Sequence, residues 1–266
     1  MFDPISQDPH IDFLHPPKNI NLRLGEMNGL FFDAGGSSPR PAVLLLHGLP
    51  GWERNFDLAH VYRRAGFHAL LIHYRGAWGS GGRFSFTQCL EDARSALDWL
   101  RSHNGVDSRH VALVGHSMGG WLALATATAA HTQCPTVAIA PANFGKYAQS
   151  FSDPTARAAF VDWCKATITP LNANAEDLTA ELEQNQDAWN FEYLAPKLEM
   201  PLLIFGAERD AIACCTIDFA QKPLLEVLPH KPTVHNLNTD HSFSTHRIAL
   251  ARASLTFLQK YLETFR

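Results

Sequence analysis

The residues with the clearest chemical potential in this 266-residue chain are Gly115-His116-Ser117-Met118-Gly119. A serine hydroxyl is a poor nucleophile at neutral pH unless a base takes its proton and a third group orients that base. VALV precedes the five residues and WLALATATAA follows them, which predicts a strand, a sharp turn and a helix. In that context Gly-x-Ser-x-Gly reads as a nucleophile turn. The glycines let neighbouring backbone pass without Cβ collisions, and the hydroxyl stands above the carboxyl ends of the strands. The helix start behind it aims unpaired amides and a positive dipole end at any nearby oxyanion.

Partners for Ser117 follow in a workable order. The run PLLIFG leads into Ala207-Glu208-Arg209-Asp210, which places two acids at the end of a strand. Asn238-Thr239-Asp240-His241-Ser242-Phe243 places a histidine just before the last helical segment. Ser117, Asp210 and His241 are therefore the candidate catalytic groups. Glu208 stays open as an alternative acid, because it leaves the same strand two residues earlier. His235 lies in a strand-like stretch, and His246 falls in the predicted helix. The amide of Met118 is one expected oxyanion donor, and the second is expected in His47-Gly48-Leu49-Pro50-Gly51. There Leu49 has an N–H and Pro50 has none. His47 is expected to support that loop or meet substrate, His116 to shape the turn, Trp78 to line the pocket, and Trp121 to pack in the core.

These groups need a scaffold that brings distant segments to one edge. AVLLLHG, FHALLIHY, VALVGHS, TVAIAPA and PLLIFGA are apolar runs suited to strands buried on both faces. Helical patterns lie between them: Phe56–Ala65, Gln88–His103 and Gly119–Ala130, with Ser244–Leu262 closing the chain. Asn19–Asp33 reads as two short antiparallel strands with a turn at Gly29, after a surface arm reaching about Leu14. Alternating strands and helices with short connections imply a mostly parallel sheet flanked by helices. About 55 residues between TVAIAPA and PLLIFGA exceed an ordinary crossover. They hold amphipathic stretches at Thr155–Lys165 and Glu176–Trp189 and the aromatics Trp163, Trp189, Phe191 and Tyr193. The expected division is a core of residues 1–142 and 201–266 and a small helical lid of residues 143–200.

Composition narrows the function. Apolar residues are 46% and charged residues 18%, with a net charge of −4 and no basic cluster, so a nucleic-acid partner is not expected. No apolar run is long enough to span a bilayer, and the opening MFDPISQDPHIDF does not read as a signal peptide. Cys89, Cys134, Cys164, Cys214 and Cys215 show no metal-ligand spacing. They read as free thiols in a reducing cytoplasm, and the adjacent pair would need strained geometry to bridge.

Taken together, HGLPG, GHSMGG, GAERD and DHSF resemble the oxyanion loop, nucleophile turn, acid loop and histidine loop of the α/β-hydrolase superfamily. The likeness runs from about Asn19 to the C-terminus. HYRGAWGSGGRFSF followed by EDARSALDWL looks more particularly like carboxylesterases and oligopeptidase-type serine hydrolases, in which that glycine-rich loop lies on the active-site side. The resemblance implies an α/β-hydrolase fold and a serine hydrolase acting on a small-molecule acyl substrate without cofactor or metal. Cleavage of a carboxylic ester through an acyl-enzyme is the expected reaction. A small peptidase or amidase is the alternative within the fold, and a non-catalytic ligand-binding protein the alternative outside it.

Overall fold

Side chains of a strand alternate between its two faces, so a strand buried on both sides needs apolar residues throughout. The computed structural model, which describes residues 2–10, 14–129 and 133–262, shows how these runs are used. Its eight strands are β1 (Lys18–Leu24), β2 (Met27–Asp33), β3 (Arg40–Leu46), β4 (His68–His73), β5 (Val106–His116), β6 (Thr136–Ile139), β7 (Leu202–Ala207) and β8 (Thr233–Leu237). They form one sheet in the order β1-β2-β4-β3-β5-β6-β7-β8. β1 and β2 pair antiparallel, β2 runs antiparallel to β4, and the other pairings are parallel. The turn between β1 and β2 falls at Gly25, whose φ is +61°, rather than at the expected Gly29, which lies inside β2 opposite Leu22 and Ile72.

Each face of the sheet has its own apolar layer. Val43 and Leu45 of β3 point towards α1 (Phe56–Arg64) and the C-terminal helix, which begins at Arg247 and ends at Leu262. Ala42, Leu44 and Leu46 point to the other layer, towards α2 (Phe86–Ser102) and α3 (Met118–Thr126). α3 ends at Thr126 and residues 127–129 form a turn, so the helix stops short of the expected Ala130, which lies outside the described residues. The segment 143–200 forms α4 (Phe144–Gln149), α5 (Pro154–Thr167), α6 (Ala175–Gln184) and α7 (Phe191–Leu194). Its Phe144, Phe160, Trp189 and Phe191 join the same apolar layer as Phe86 and Trp121. A last short helix, α8 (Lys222–Val227), precedes β8, and the C-terminal helix is α9.

The chain leaves β3 for β4 on one side and returns past it to β5 on the other. That reversal opens a crevice at the carboxyl ends of β3 and β5, where open parallel sheets bind ligands. α3 starts in this crevice, and all nine of its residues are buried. It approaches so closely that a Cβ on Gly119 would collide with the Leu46 carbonyl, and a Cβ on Gly115 with the Gly119 carbonyl. Gly119→Ala is therefore expected to lower unfolding stability by about 3 kcal/mol. Gly25→Ala, with open space around its Cβ, should lower it by only about 1 kcal/mol through left-handed backbone strain. Urea denaturation of the two variants measures the difference, and equal losses would contradict the packing argument.

Candidate active site

Ser117 is the single residue between β5 and α3, and its backbone angles, φ 58° and ψ −120°, lie outside the ordinary regions for an L-residue. Hydrogen bonds hold it there. Its N–H donates to the Ile139 carbonyl at 2.9 Å, while its own carbonyl accepts from Gly120, Trp121 and Ala142. On the other side, Gly48 comes so close that a Cβ there would stand 2.9 Å from the Ser117 Cβ. Leu49 follows Gly48 in the chain, and Met118 follows Ser117 as the first residue of α3.

The acid and the base arrive from the neighbouring strands. β7 and β8 pair in register to Ala207 and Leu237, and the pairing continues beyond both strands. Glu208 N–H donates to the Leu237 carbonyl and Arg209 N–H to the Thr239 carbonyl. Asp210 and His241 therefore leave the sheet side by side, and His241 Nδ1 lies 2.7 Å from Asp210 Oδ2. The carboxylate is fully buried, the imidazole is 21% exposed, and Asp210 Oδ1 accepts from the Ile212 N–H at 2.8 Å. Glu208 is exposed. This contact points Nδ1 of the ring at the carboxylate, on the side opposite Nε2. His116 Nε2 donates to the His241 carbonyl at 2.8 Å, which fixes the backbone of the histidine loop. His235 lies in β8, while His246 precedes α9 rather than lying within it.

The nucleophile candidate has an unforeseen neighbour. Ser117 Oγ lies 3.7 Å from Cys215 Sγ and makes no hydrogen bond to His241 in this arrangement. Cys215 follows Asp210 by five residues, so its presence in the acid loop is visible in the sequence. Its aim is not, because that depends on the turn Ala213–Cys215 folding back under Ser117.

The remaining expected residues make contacts of their own around this centre. Trp78 Nε1 donates to the Pro50 carbonyl at 2.7 Å, and its ring meets Trp52 edge-on at 4.9 Å and Arg54 at 4.5 Å. His47 Nδ1 donates to the Gly48 carbonyl, and Tyr74 donates its hydroxyl to the His47 carbonyl. Trp121 is buried among Trp189, Phe144 and Phe86. Across the mouth, Arg247 pairs with Asp57 and with Asn55 Oδ1 and also donates to the Ser242 carbonyl, tying the histidine loop to the start of α1. Among the described residues, no three His, Cys, Asp or Glu side chains are grouped to hold a metal ion. No described helix is long and apolar enough to cross a membrane.

A sequence model of the Alpha/beta hydrolase family matches residues 43–254. The uncharacterized protein Rv2307c of Mycobacterium tuberculosis is 35% identical over 108 residues, which are 40% of this chain and 37% of that protein. The match thus spans well under half of the relative. Among solved structures, the Pyrococcus furiosus esterase PF2001 superposes with a TM-score of 0.68 at 16% identity, over 96% of this chain and 98% of that one. The Pyrococcus horikoshii acylaminoacyl peptidase gives 0.70 at 15% identity, over 95% of this chain and 43% of its own.

Burial keeps the histidines around the site neutral. It lowers His47 and His116 to about 3, with the positive charge of neighbouring histidines adding to the effect, and it lowers His73 to about 4. Unfolded histidines titrate near 6.5, so protons favour the unfolded chain below that value. Stability should be complete above about pH 6.5 and fall as pH drops towards 4, by up to about 1.4 kcal/mol per pH unit for each of the three. A urea midpoint that stays flat between pH 7 and pH 5 would contradict this.

Proposed function

The chain belongs to the Alpha/beta hydrolase family, and from that premise we propose that it is a serine hydrolase cleaving carboxylic esters through an acyl-enzyme on Ser117. The observation that carries the reading is the 2.7 Å pairing of His241 Nδ1 with the buried Asp210 carboxylate, beside a serine held on a strained strand-to-helix turn. Fold membership alone supports a hydrolase; the role of each residue is our inference from its position.

In the proposed cycle, substrate entry turns Ser117 Oγ from Cys215 towards the free Nε2 of His241. Hydrogen bonds of this kind are often loose before substrate binds. Nε2 takes the hydroxyl proton as Oγ attacks the carbonyl carbon. The negative oxygen that forms is received by the amides of Leu49 and Met118, at a helix start that favours negative charge. Asp210 keeps the proton of His241 on Nδ1 and stabilises the imidazolium. His241 then protonates the leaving alcohol and later activates the water that releases the acid.

The likeness to an acylaminoacyl peptidase gives a second reading, amide cleavage by the same groups. It asks more of His241, since an amine is the harder leaving group to expel. A matched pair of short-chain nitrophenyl ester and nitroanilide substrates separates the two: ester turnover should exceed anilide turnover by a wide margin.

Two variant sets test the assignment. A fluorophosphonate should label Ser117, and Ser117→Ala should stay folded and lose about 10⁴-fold or more in kcat for a nitrophenyl ester. Labelling at another residue would sink the reading. Asp210→Asn should reduce kcat by about 10⁴-fold, whereas Glu208→Gln should leave it nearly unchanged. The reverse pattern would move the acid to Glu208.

A further inference from the structure

The loop from β7 to α8 contains two adjacent thiols that the reaction above does not use. Cys214 and Cys215 share the turn Ala213–Cys215, and their sulfurs stand 3.8 Å apart. The turn is pinned at both ends: the Cys214 carbonyl accepts from Asn143 N–H and the Cys215 N–H donates to the Ile212 carbonyl, each at 2.8 Å. Both side chains are buried. Ser117 is only half-buried, and a molecule that reaches its Oγ comes close to Cys215 Sγ, 3.7 Å from that oxygen.

We propose that Cys214 and Cys215 form a dithiol modification site beside Ser117, which takes a trivalent arsenical of the arsenoxide class across both sulfurs and blocks the serine. The step balances without an oxidant. Two As–S bonds replace the arsenic–oxygen double bond, arsenic stays trivalent, and the two thiol protons leave with the oxide oxygen as one water. Burial pushes the Cys215 thiol well above its usual range, and the neighbouring Cys214 sulfur adds to the push. Reactions that need a standing thiolate, such as alkylation or peroxide oxidation, are thereby suppressed. Condensation with an arsenoxide uses the protonated thiols directly. A disulfide would instead require the sulfurs to close to about 2.05 Å and an acceptor for two electrons.

The site rests on the two sulfurs; only its effect on turnover rests on the hydrolase reading. The test treats the full chain with phenylarsine oxide and follows intact mass and fluorophosphonate labelling. The wild type should keep one phenylarsenic adduct through excess 2-mercaptoethanol, release it to dimercaptopropanol, and lose labelling of Ser117 while it is bound. Cys214→Ser and Cys215→Ser should each lose the monothiol-resistant adduct, while Cys89→Ser and Cys164→Ser should retain it. The proposal is overturned by a wild type without such an adduct, by one that survives in both Cys214→Ser and Cys215→Ser, or by full labelling of the adducted protein. A chain that forms the adduct but never takes a fluorophosphonate would support the dithiol site and count against the hydrolase reading.

Discussion

The closeness of α3 to the sheet is the constraint on which the rest of the site depends. A helix whose nine residues are all buried gains most of its stability from contact, with β3, β5 and β6 beneath it and with α2 and the 143–200 segment beside it. Glycine at 115 and 119 removes the side chains that would hold it off. The same closeness leaves no room for a relaxed connection, so Ser117 alone makes the turn at φ 58° and ψ −120°. Strain of this kind is of order 1–3 kcal/mol. Burial of Trp121 and Leu122 on the same short helix is of comparable size, at about 1.5–3 kcal/mol for a large apolar side chain. A relaxed turn would lower the hydroxyl into the sheet and draw the Met118 amide away from it.

The surroundings of the turn follow from the low polarity that this packing creates. Charge is concentrated at few places near Ser117: the buried Asp210 carboxylate is satisfied by His241 and by the Ile212 amide, and His47, His73 and His116 are kept uncharged by burial. Neutral histidines can brace loops through directed hydrogen bonds without competing with an oxyanion for the field of the helix start. His47 does so for the Gly48 loop and His116 for the His241 loop. The fixed positive charge of Arg247 is spent on Asp57 at the rim, away from the serine. In the proposed reaction an anionic intermediate would thus meet amide dipoles, whose orientation is set before substrate arrives.

Much of this was legible in the sequence because the informative segments obey local rules. Strand, turn and helix around Ser117 are written in VALV, two small residues and an apolar run. β7 and its acid loop, and the loop of His241 before a helical pattern, are equally local. Where the reading failed, a non-local effect decided. Gly29 looks like a turn residue, yet its φ is ordinary and it sits in β2 against Leu70 and Leu71, while Gly25 takes the left-handed turn. β8 reads as Thr-Val-His-Asn-Leu and is mostly exposed at the sheet edge, so only the strand-like stretch around His235 marks it, without the apolar run of the buried strands. Cys215 beside Ser117 could not be read, because nothing local to GAERDAIACC says which way its turn folds.

The choice between Asp210 and Glu208 shows how a backbone register becomes chemistry. Both acids follow the same strand, and both are close enough in sequence to serve. The ladder between β7 and β8 does not stop at Ala207 and Leu237 but runs on through Glu208 and Arg209. Glu208 is therefore still part of an extended edge, with its side chain in solvent. Asp210 is the first residue after the ladder ends: its N–H turns back to the Ala207 carbonyl at 3.2 Å, and its carboxylate swings inward. On the partner chain the ladder ends at Thr239, two residues before His241. Asp210 and His241 thus stand beside each other because two parallel strands release them one and two residues after their last shared hydrogen bond, between Arg209 N–H and the Thr239 carbonyl. A slip of one residue in that pairing would bring Arg209 to the position of Asp210, and a guanidinium would then face His241 Nδ1 in place of the carboxylate that lies 2.7 Å from it.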